Sequence, residues 1–88
     1  MTEIETVIKN RAGIHARPAS MIVQAASKYR SKIYLQNGPD RVNAKSIMGI
    51  ITLGAGYDSK IRIQAEGEDE ESAAAAIERL FTSRFEEE

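Results

Sequence analysis

Lys60-Ile61-Arg62-Ile63-Gln64-Ala65-Glu66 alternates polar and apolar residues at every step. Successive side chains of an extended chain point to opposite faces. The run therefore predicts a strand with Ile61, Ile63 and Ala65 on one face and polar groups on the other. Three further segments read the same way. Residues 2–8 place Ile4, Thr6 and Ile8 opposite Glu3, Glu5 and Val7. Lys32–Asn37 turns Ile33 and Leu35 inward, and Arg41–Asn43 turns Val42 inward. The turn Asn37-Gly38-Pro39-Asp40 joins the last two into a hairpin. Four strands with one apolar face each argue an antiparallel sheet covered on a single side.

The covering layer is legible in the segments between the strands. Asn10 to Gly13 reads as a turn. From Ala16 to Ala26 or Ser27, the residues Ala19, Ile22, Val23 and Ala26, with Tyr29 beyond, recur at helical spacing. Pro18 is tolerated there because the first helical turn has no use for its missing N–H. Gly67 closes the Lys60–Glu66 strand. Glu68–Glu71 then puts negative charge at the positive end of a helix over Glu70–Ser83, and a solvated helix start is expected there. Its buried stripe is read as Ala73, Ala76, Ile77, Leu80 and Phe81. Ile47–Leu53 is too short and apolar for periodicity to decide, but Ser46 before it and Gly54 after it are helix start and stop signals. This helix either packs down or offers an apolar surface to a partner. The tail Phe85-Glu86-Glu87-Glu88 is expected to fray. The order is β-α-β-β-α-β-α, an α+β fold in one domain over residues 1–88.

Composition narrows the chemistry. With 88 residues, about 60% of the unfolded surface can be buried. Cysteine is absent, so neither disulfides nor thiolate metal sites are available, which fits a cytoplasmic location. No run of 18 apolar residues occurs and the acidic N-terminus has no signal-peptide pattern, so no membrane insertion is expected. The net charge of −1 is unevenly placed: residues 1–45 carry eight Lys/Arg against three Asp/Glu, and residues 46–88 carry four against ten. The basic half, with Lys9, Arg11 and Arg17, suits a phosphate or an acidic partner. Nucleic acid is not expected as a partner, because no basic–aromatic motif appears.

Two positions carry chemistry. His15 is the only histidine and lies in Gly13-Ile14-His15-Ala16-Arg17-Pro18-Ala19. Ile14 can anchor inward while His15 stands at the helix start. There the free amides of residues 16 and 17 and the Arg17 guanidinium could bind an anion that a ring nitrogen carries. On the local sequence alone, a plain helix cap beside a solvated Arg17 is an equal reading. One histidine without cysteine completes no zinc site, and no serine suggests a nucleophile elbow. Ser46 follows Asn43-Ala44-Lys45 and precedes the apolar helix. Simple N-capping is its plainer reading. In the functional one, a phosphate on Ser46 would add negative charge beside Ile47 and Met48 without unfolding the helix. The acidic run Glu66–Glu71 lacks the spaced ligands and glycine of an EF-hand loop.

Ile8-Lys9-Asn10-Arg11-Ala12-Gly13-Ile14-His15-Ala16-Arg17-Pro18-Ala19 resembles the active-site signature of the histidine-containing phosphocarrier proteins (HPr) of the bacterial phosphoenolpyruvate-dependent sugar phosphotransferase system. Val42-Asn43-Ala44-Lys45-Ser46-Ile47-Met48-Gly49-Ile50 resembles the regulatory-serine signature of the same family. The resemblance covers nearly the whole chain. It implies an open-faced β-sandwich, four antiparallel strands with three helices on one face. It implies that His15 accepts phosphate on Nδ1 from phosphorylated enzyme I and passes it to enzyme II A domains, with Arg17 neutralising the phosphate. Ser46 would be the target of HPr kinase/phosphorylase, and a catabolite-control transcription factor would read the modified surface. Ala16, Ser20, Gln24, Ile47, Met48 and Ile51 map onto the partner-binding face. The chain would be a monomeric carrier without turnover of its own, with no cofactor and no metal. The alternative is a mainly regulatory module or a nitrogen-branch carrier that serves no sugar transport.

Overall fold

The computed structural model describes residues 1–87. The alternating segment Lys60–Glu66 forms strand β4, and it lies inside the sheet. β1 (Thr2–Val7) pairs with one of its edges and β2 (Lys32–Asn37) with the other, while β3 (Asp40–Asn43) closes the order β1-β4-β2-β3. Every pairing is antiparallel. Ile63 stands opposite Ile4 on one side and Leu35 on the other. This register sends all the alternating apolar residues to one face. Ile33, Leu35, Ile61, Ile63 and Ala65 are fully buried there.

The helices α1 (Ala16–Ala26), α2 (Ile47–Leu53) and α3 (Glu70–Thr82) supply the cover. α3 packs on β1 and β4, α2 on β3, and α1 touches both other helices. The order is the expected one, with shifts of a residue at element ends. α1 buries Ala19, Ile22 and Ala26, with Val23 and Tyr29 half-buried at its margin. On α3 the buried residues are Ala73, Ala74, Ile77 and Phe81. Ala76 and Leu80, expected in this stripe, are half-buried, Leu80 still packing against the core, and Ala74 is buried instead, because the stripe follows i, i+4 steps from Ala73 through Ile77 to Phe81 and its width extends toward Ala74. α2 resolves as a helix. Ser46 Oγ accepts from Gly49 N at 3.1 Å, and Gly54 ends the helix with φ 62, a left-handed conformation that glycine adopts without a Cβ penalty.

The other face of the sheet is open but organised. Gln64 points away from the helices yet is only 9% exposed. Its amide donates to Glu3 Oε2 at 3.2 Å and Gln36 Oε1 at 2.9 Å, and its oxygen accepts from Arg41 Nε at 2.9 Å. The Arg41 guanidinium stacks 3.8 Å from the Tyr34 ring centroid. These cross-strand contacts tie all four strands on the solvent side.

Two acidic residues expected to be merely solvated are structural. Asp69 accepts from the amides of Arg30 and Ser31, both at 3.0 Å, and from the Ser31 hydroxyl. These donors hold its carboxyl at about 2, the Ser31 hydroxyl bond first and the Arg30 amide next. Glu70 accepts from Thr2 Oγ1 at 2.7 Å and Gly67 N at 3.1 Å. The acidic run thus fastens the start of α3 to β1 and to the loop before β2.

The largest departure from expectation is the tail. Arg84–Glu86 does not fray but forms a single 3-10 turn, with Arg84, Phe85 and Glu86 all left-handed at φ 57, 53 and 60. Three consecutive non-glycine residues in that region cost about 1 kcal/mol or more each. The offset is Phe85, fully buried, with its ring 4.9 Å from that of Phe81 in an edge-to-face pair. Glu88, also read as part of the frayed tail, lies outside the described residues.

Candidate functional site

His15 is the N-cap of α1, with an extended backbone, and its carbonyl accepts the first helical bond from Ala19 N at 3.0 Å. Its side chain makes no capping bond to the helix. The local fold explains this orientation. Ile14 is 6% exposed and anchors inward, with its N–H bonded to Ala55 O at 3.1 Å. Gly13 beside it has φ 73, and a Cβ there would meet Ala55 O and Gly56 Cα at 2.9 Å. Only glycine lets the two loops approach this closely. With residue 14 fixed inward, the side chain of residue 15 faces solvent and is 45% exposed.

One carboxylate meets the ring, and two further side chains hold that carboxylate. Glu87 Oε1 lies 3.1 Å from His15 Nε2. The other oxygen of the same carboxylate accepts from Arg17 Nη1 at 3.1 Å, and that nitrogen also donates to Phe85 O at 2.8 Å. Asn10 completes the set. It is fully buried, and its Nδ2 donates to Gly13 O at 2.7 Å and to Glu87 Oε1 at 3.1 Å. The reverse orientation of this amide would set its oxygen against two acceptors, which assigns the amide as drawn. Its Oδ1 has no partner among the described residues. The His15 hydrogen bond, followed by the Asn10 bond, holds the Glu87 carboxyl below the usual carboxylate range.

His15 and Arg17 are therefore joined through one anion, the Glu87 carboxylate. Sequence reasoning found the first two and missed Glu87, Asn10 and the Phe85 carbonyl. Glu87 is distant in sequence and sat in a segment read as frayed. The available signal was Phe85, which stands one helical turn after Phe81 and is the last large apolar residue of the chain. Elsewhere on the surface, Lys9, Arg11, Arg84 and Tyr57 line a depression of about 580 Å³. Arg84, from the acidic half, thus joins Lys9 and Arg11 of the basic half. Lys9 is paired with Asp58 at 2.9 Å.

Ser46 is a capping residue in the structure, as its plainer reading held. The segment before it is tightly tied: Lys45 N donates to Asn43 Oδ1 at 2.8 Å, and Lys45 Nζ donates to Tyr29 O at 2.8 Å, just past α1. No hydrogen bond or ion pair links Ser46 to His15 among the described residues. The outer residues expected on a partner face are uncovered to different degrees. Met48 is 67% exposed, Ile47 42% and Ile51 41%. On α1, Ala16 and Gln24 are exposed and Ser20 is half-buried, with Gln24 Nε2 directed at Ser20 Oγ at 3.4 Å. α2 therefore does both of the things left open for it: it buries Ile50 and presents an apolar outer face. Among the described residues no cluster of three potential metal ligands occurs, and no helix is long and apolar enough to cross a membrane.

Comparison with known proteins identifies the family. A family profile described as "PTS HPr component phosphorylation site" matches residues 2–83. The phosphocarrier protein HPr of Treponema pallidum is 56% identical over 86 residues, spanning 97% of this chain and 98% of that protein. Among solved structures, HPr-C-His from Thermoanaerobacter tengcongensis superposes with a TM-score of 0.95 at 48% identity, covering 100% of this chain and 99% of the other. An HPr dimer from the same organism superposes with a TM-score of 0.77 at 47% identity, covering 97% and 98%. A profile match over nearly the whole chain, a full-length relative and a superposable fold coincide on a chain whose only imidazole stands exposed beside a guanidinium, and the protein belongs to the HPr family of phosphotransferase-system phosphocarriers.

Proposed function

We propose that His15 is the phosphoryl acceptor, taking phosphate on Nδ1 from phosphorylated enzyme I and delivering it to enzyme II A domains, with Arg17 neutralising the phosphate. The observation that carries this reading is the shared carboxylate of Glu87. The carboxylate joins His15 Nε2 to Arg17 Nη1, which sets the charged donor beside the ring that would carry a phosphoryl group on Nδ1. Arg17 keeps three N–H donors beyond the two on Nη1, enough to follow a dianion. In this reading the larger partners supply catalysis and this chain supplies the exchangeable nucleophile. It acts as a monomer, because the ring and the outer face of α2 must both be open to partners, and it works in the cytoplasm, where its cysteine-free sequence fits. Incubation with phosphoenolpyruvate and enzyme I should give an acid-labile phosphate on the wild type and none on His15→Ala. Label persisting in the variant would overturn the assignment.

A second reading concerns Ser46, and the exposed apolar residues next to it favour it. Phosphate on Oγ would leave acceptor oxygens for Gly49 N, so α2 would keep its cap. It would also place about two negative charges beside Ile47 and Met48. That changes what the face can dock without changing the fold, and it suits control by a kinase and a catabolite-control transcription factor. Ser46→Asp should slow phosphorylation of His15 by enzyme I, measured as the initial rate. A rate equal to wild type would contradict a controlling role for charge at this position.

A further inference from the structure

We infer that Glu87 is a positioning residue for His15: by accepting the Nε2–H it leaves the imidazole lone pair on Nδ1, the nitrogen that attacks phosphorus. The inference deepens the acceptor role proposed for His15 and rests on it.

A neutral imidazole has one donor nitrogen and one acceptor nitrogen, and the partner of one fixes the role of the other. An ionised carboxylate only accepts. The 3.1 Å contact between Glu87 Oε1 and His15 Nε2 therefore places the proton on Nε2 and the free pair on Nδ1. Nδ1 is bonded to the ring carbon that carries the side-chain stem, so it is the ring nitrogen nearer the main chain and the start of α1. Several contacts keep the carboxylate in place. Asn10 Nδ2 and Arg17 Nη1 both donate to it. Asn10 is itself fully buried and tied to Gly13 O. On the chain side, Phe85 is fully buried two residues earlier and its carbonyl is bonded to Arg17. Glu87 remains ionised at neutral pH, since its carboxyl lies below the usual carboxylate range.

The transfer step then needs no proton movement at the carrier. The Nδ1 pair forms the N–P bond as the donor's bond to phosphorus breaks, and that bonding pair returns to the donor. Nε2 keeps its proton throughout. The ring becomes cationic on taking the phosphoryl group, and its Nε2 side faces the Glu87 carboxylate. Without Glu87 the proton would distribute between the two nitrogens, and a share of the molecules would present N–H at the attacking position.

The test exploits the single histidine, because ring-15N labelling gives the spectrum of one imidazole. Two-bond nitrogen–proton correlation at a pH where the ring is neutral reports the two tautomers. The wild type should be dominated by Nε2–H. Glu87→Ala should raise the Nδ1–H share and slow the initial rate of phosphorylation by enzyme I roughly fivefold, chiefly because the ring that turns cationic loses the equivalent of one net hydrogen bond. A merely structural role would move the melting temperature and leave the tautomers alone. An unchanged tautomer balance in Glu87→Ala overturns the inference. So does faster phosphorylation, which would make the carboxylate an obstruction. A wild type that shows the Nε2–H tautomer but takes no phosphate overturns the acceptor role itself, and the spectrum separates that failure from the others.

Discussion

Replacing Arg17 with alanine should slow phosphoryl transfer through His15 by about 100- to 1,000-fold, with a far smaller effect on the fold. The guanidinium is the charged donor group beside His15, on the same helical turn, and it already holds the carboxylate that touches the ring. Preformed donors aimed at developing negative charge act most strongly where they need not reorganise, and Arg17 is pre-set by its bond to Phe85 O. The structural loss is the hydrogen bond to the Phe85 carbonyl, worth about 1 kcal/mol, and the half-exposed ion pair with Glu87, worth about 1 kcal/mol or less, with roughly 4–8 °C in melting temperature for each kcal/mol in a chain of this size. Arg17→Lys should fall between wild type and alanine, because it keeps the charge but loses the fork of N–H groups. Rapid-quench measurement of phosphohistidine formation, alongside a thermal melt, separates the two effects. A transfer rate near wild type in Arg17→Ala would remove Arg17 from the site.

Phe85→Ala should destabilise the protein by about 3–5 kcal/mol, a large effect for a residue so near the chain end. Phe85 is fully buried and pairs edge-on with Phe81 at 4.9 Å. Its burial also offsets the three left-handed residues Arg84, Phe85 and Glu86. Without the ring, the turn has no reason to persist. Its loss would release both the carbonyl that holds Arg17 and the carboxylate that touches His15. The variant should therefore show a lower urea midpoint and, in the same sample, a displaced His15 ring resonance. Stability within about 0.5 kcal/mol of wild type, the range of ordinary surface substitutions, would show that the tail is not part of the core. A midpoint that falls while the His15 resonance stays fixed would uncouple the tail's packing from the site.

The route from residues to site was uneven, and particular positions show why. Lys60–Glu66 announced its strand because period-two alternation is a local property, and its place inside the sheet followed from having partners on both sides. Ser46 and Gly54 bracketed a helix that periodicity could not settle, because caps are local chemistry too. The stripe of α3 was legible at Ala73, Ile77 and Phe81, while its edge was placed on the wrong side: Ala76 and Leu80 are half-buried and Ala74 is buried, because small side chains give little contrast. Gln64 was expected on the solvent face and is there. Its near-complete burial comes from Glu3, Gln36 and Arg41, which three other strands bring to it. Asp69 and Glu70 looked like charge at a helix start and proved to be fasteners to distant segments.

By itself the sequence determined the element order, the single apolar face of the sheet, the exposed His15 between a buried Ile14 and a nearby Arg17, and the capped apolar helix after Ser46. All of these depend on residues within a turn or two of one another, where periodicity, glycine and capping chemistry act. Only the tertiary structure decided what faces the imidazole. Glu87 reaches His15 because Phe85 finds a cavity beside Phe81, and because Asn10 and Arg17 supply donors from the opposite end of the chain. Such a contact has no local signature. It exists because burying one aromatic ring outweighs an unfavourable left-handed turn, and that balance is struck only once the core has formed.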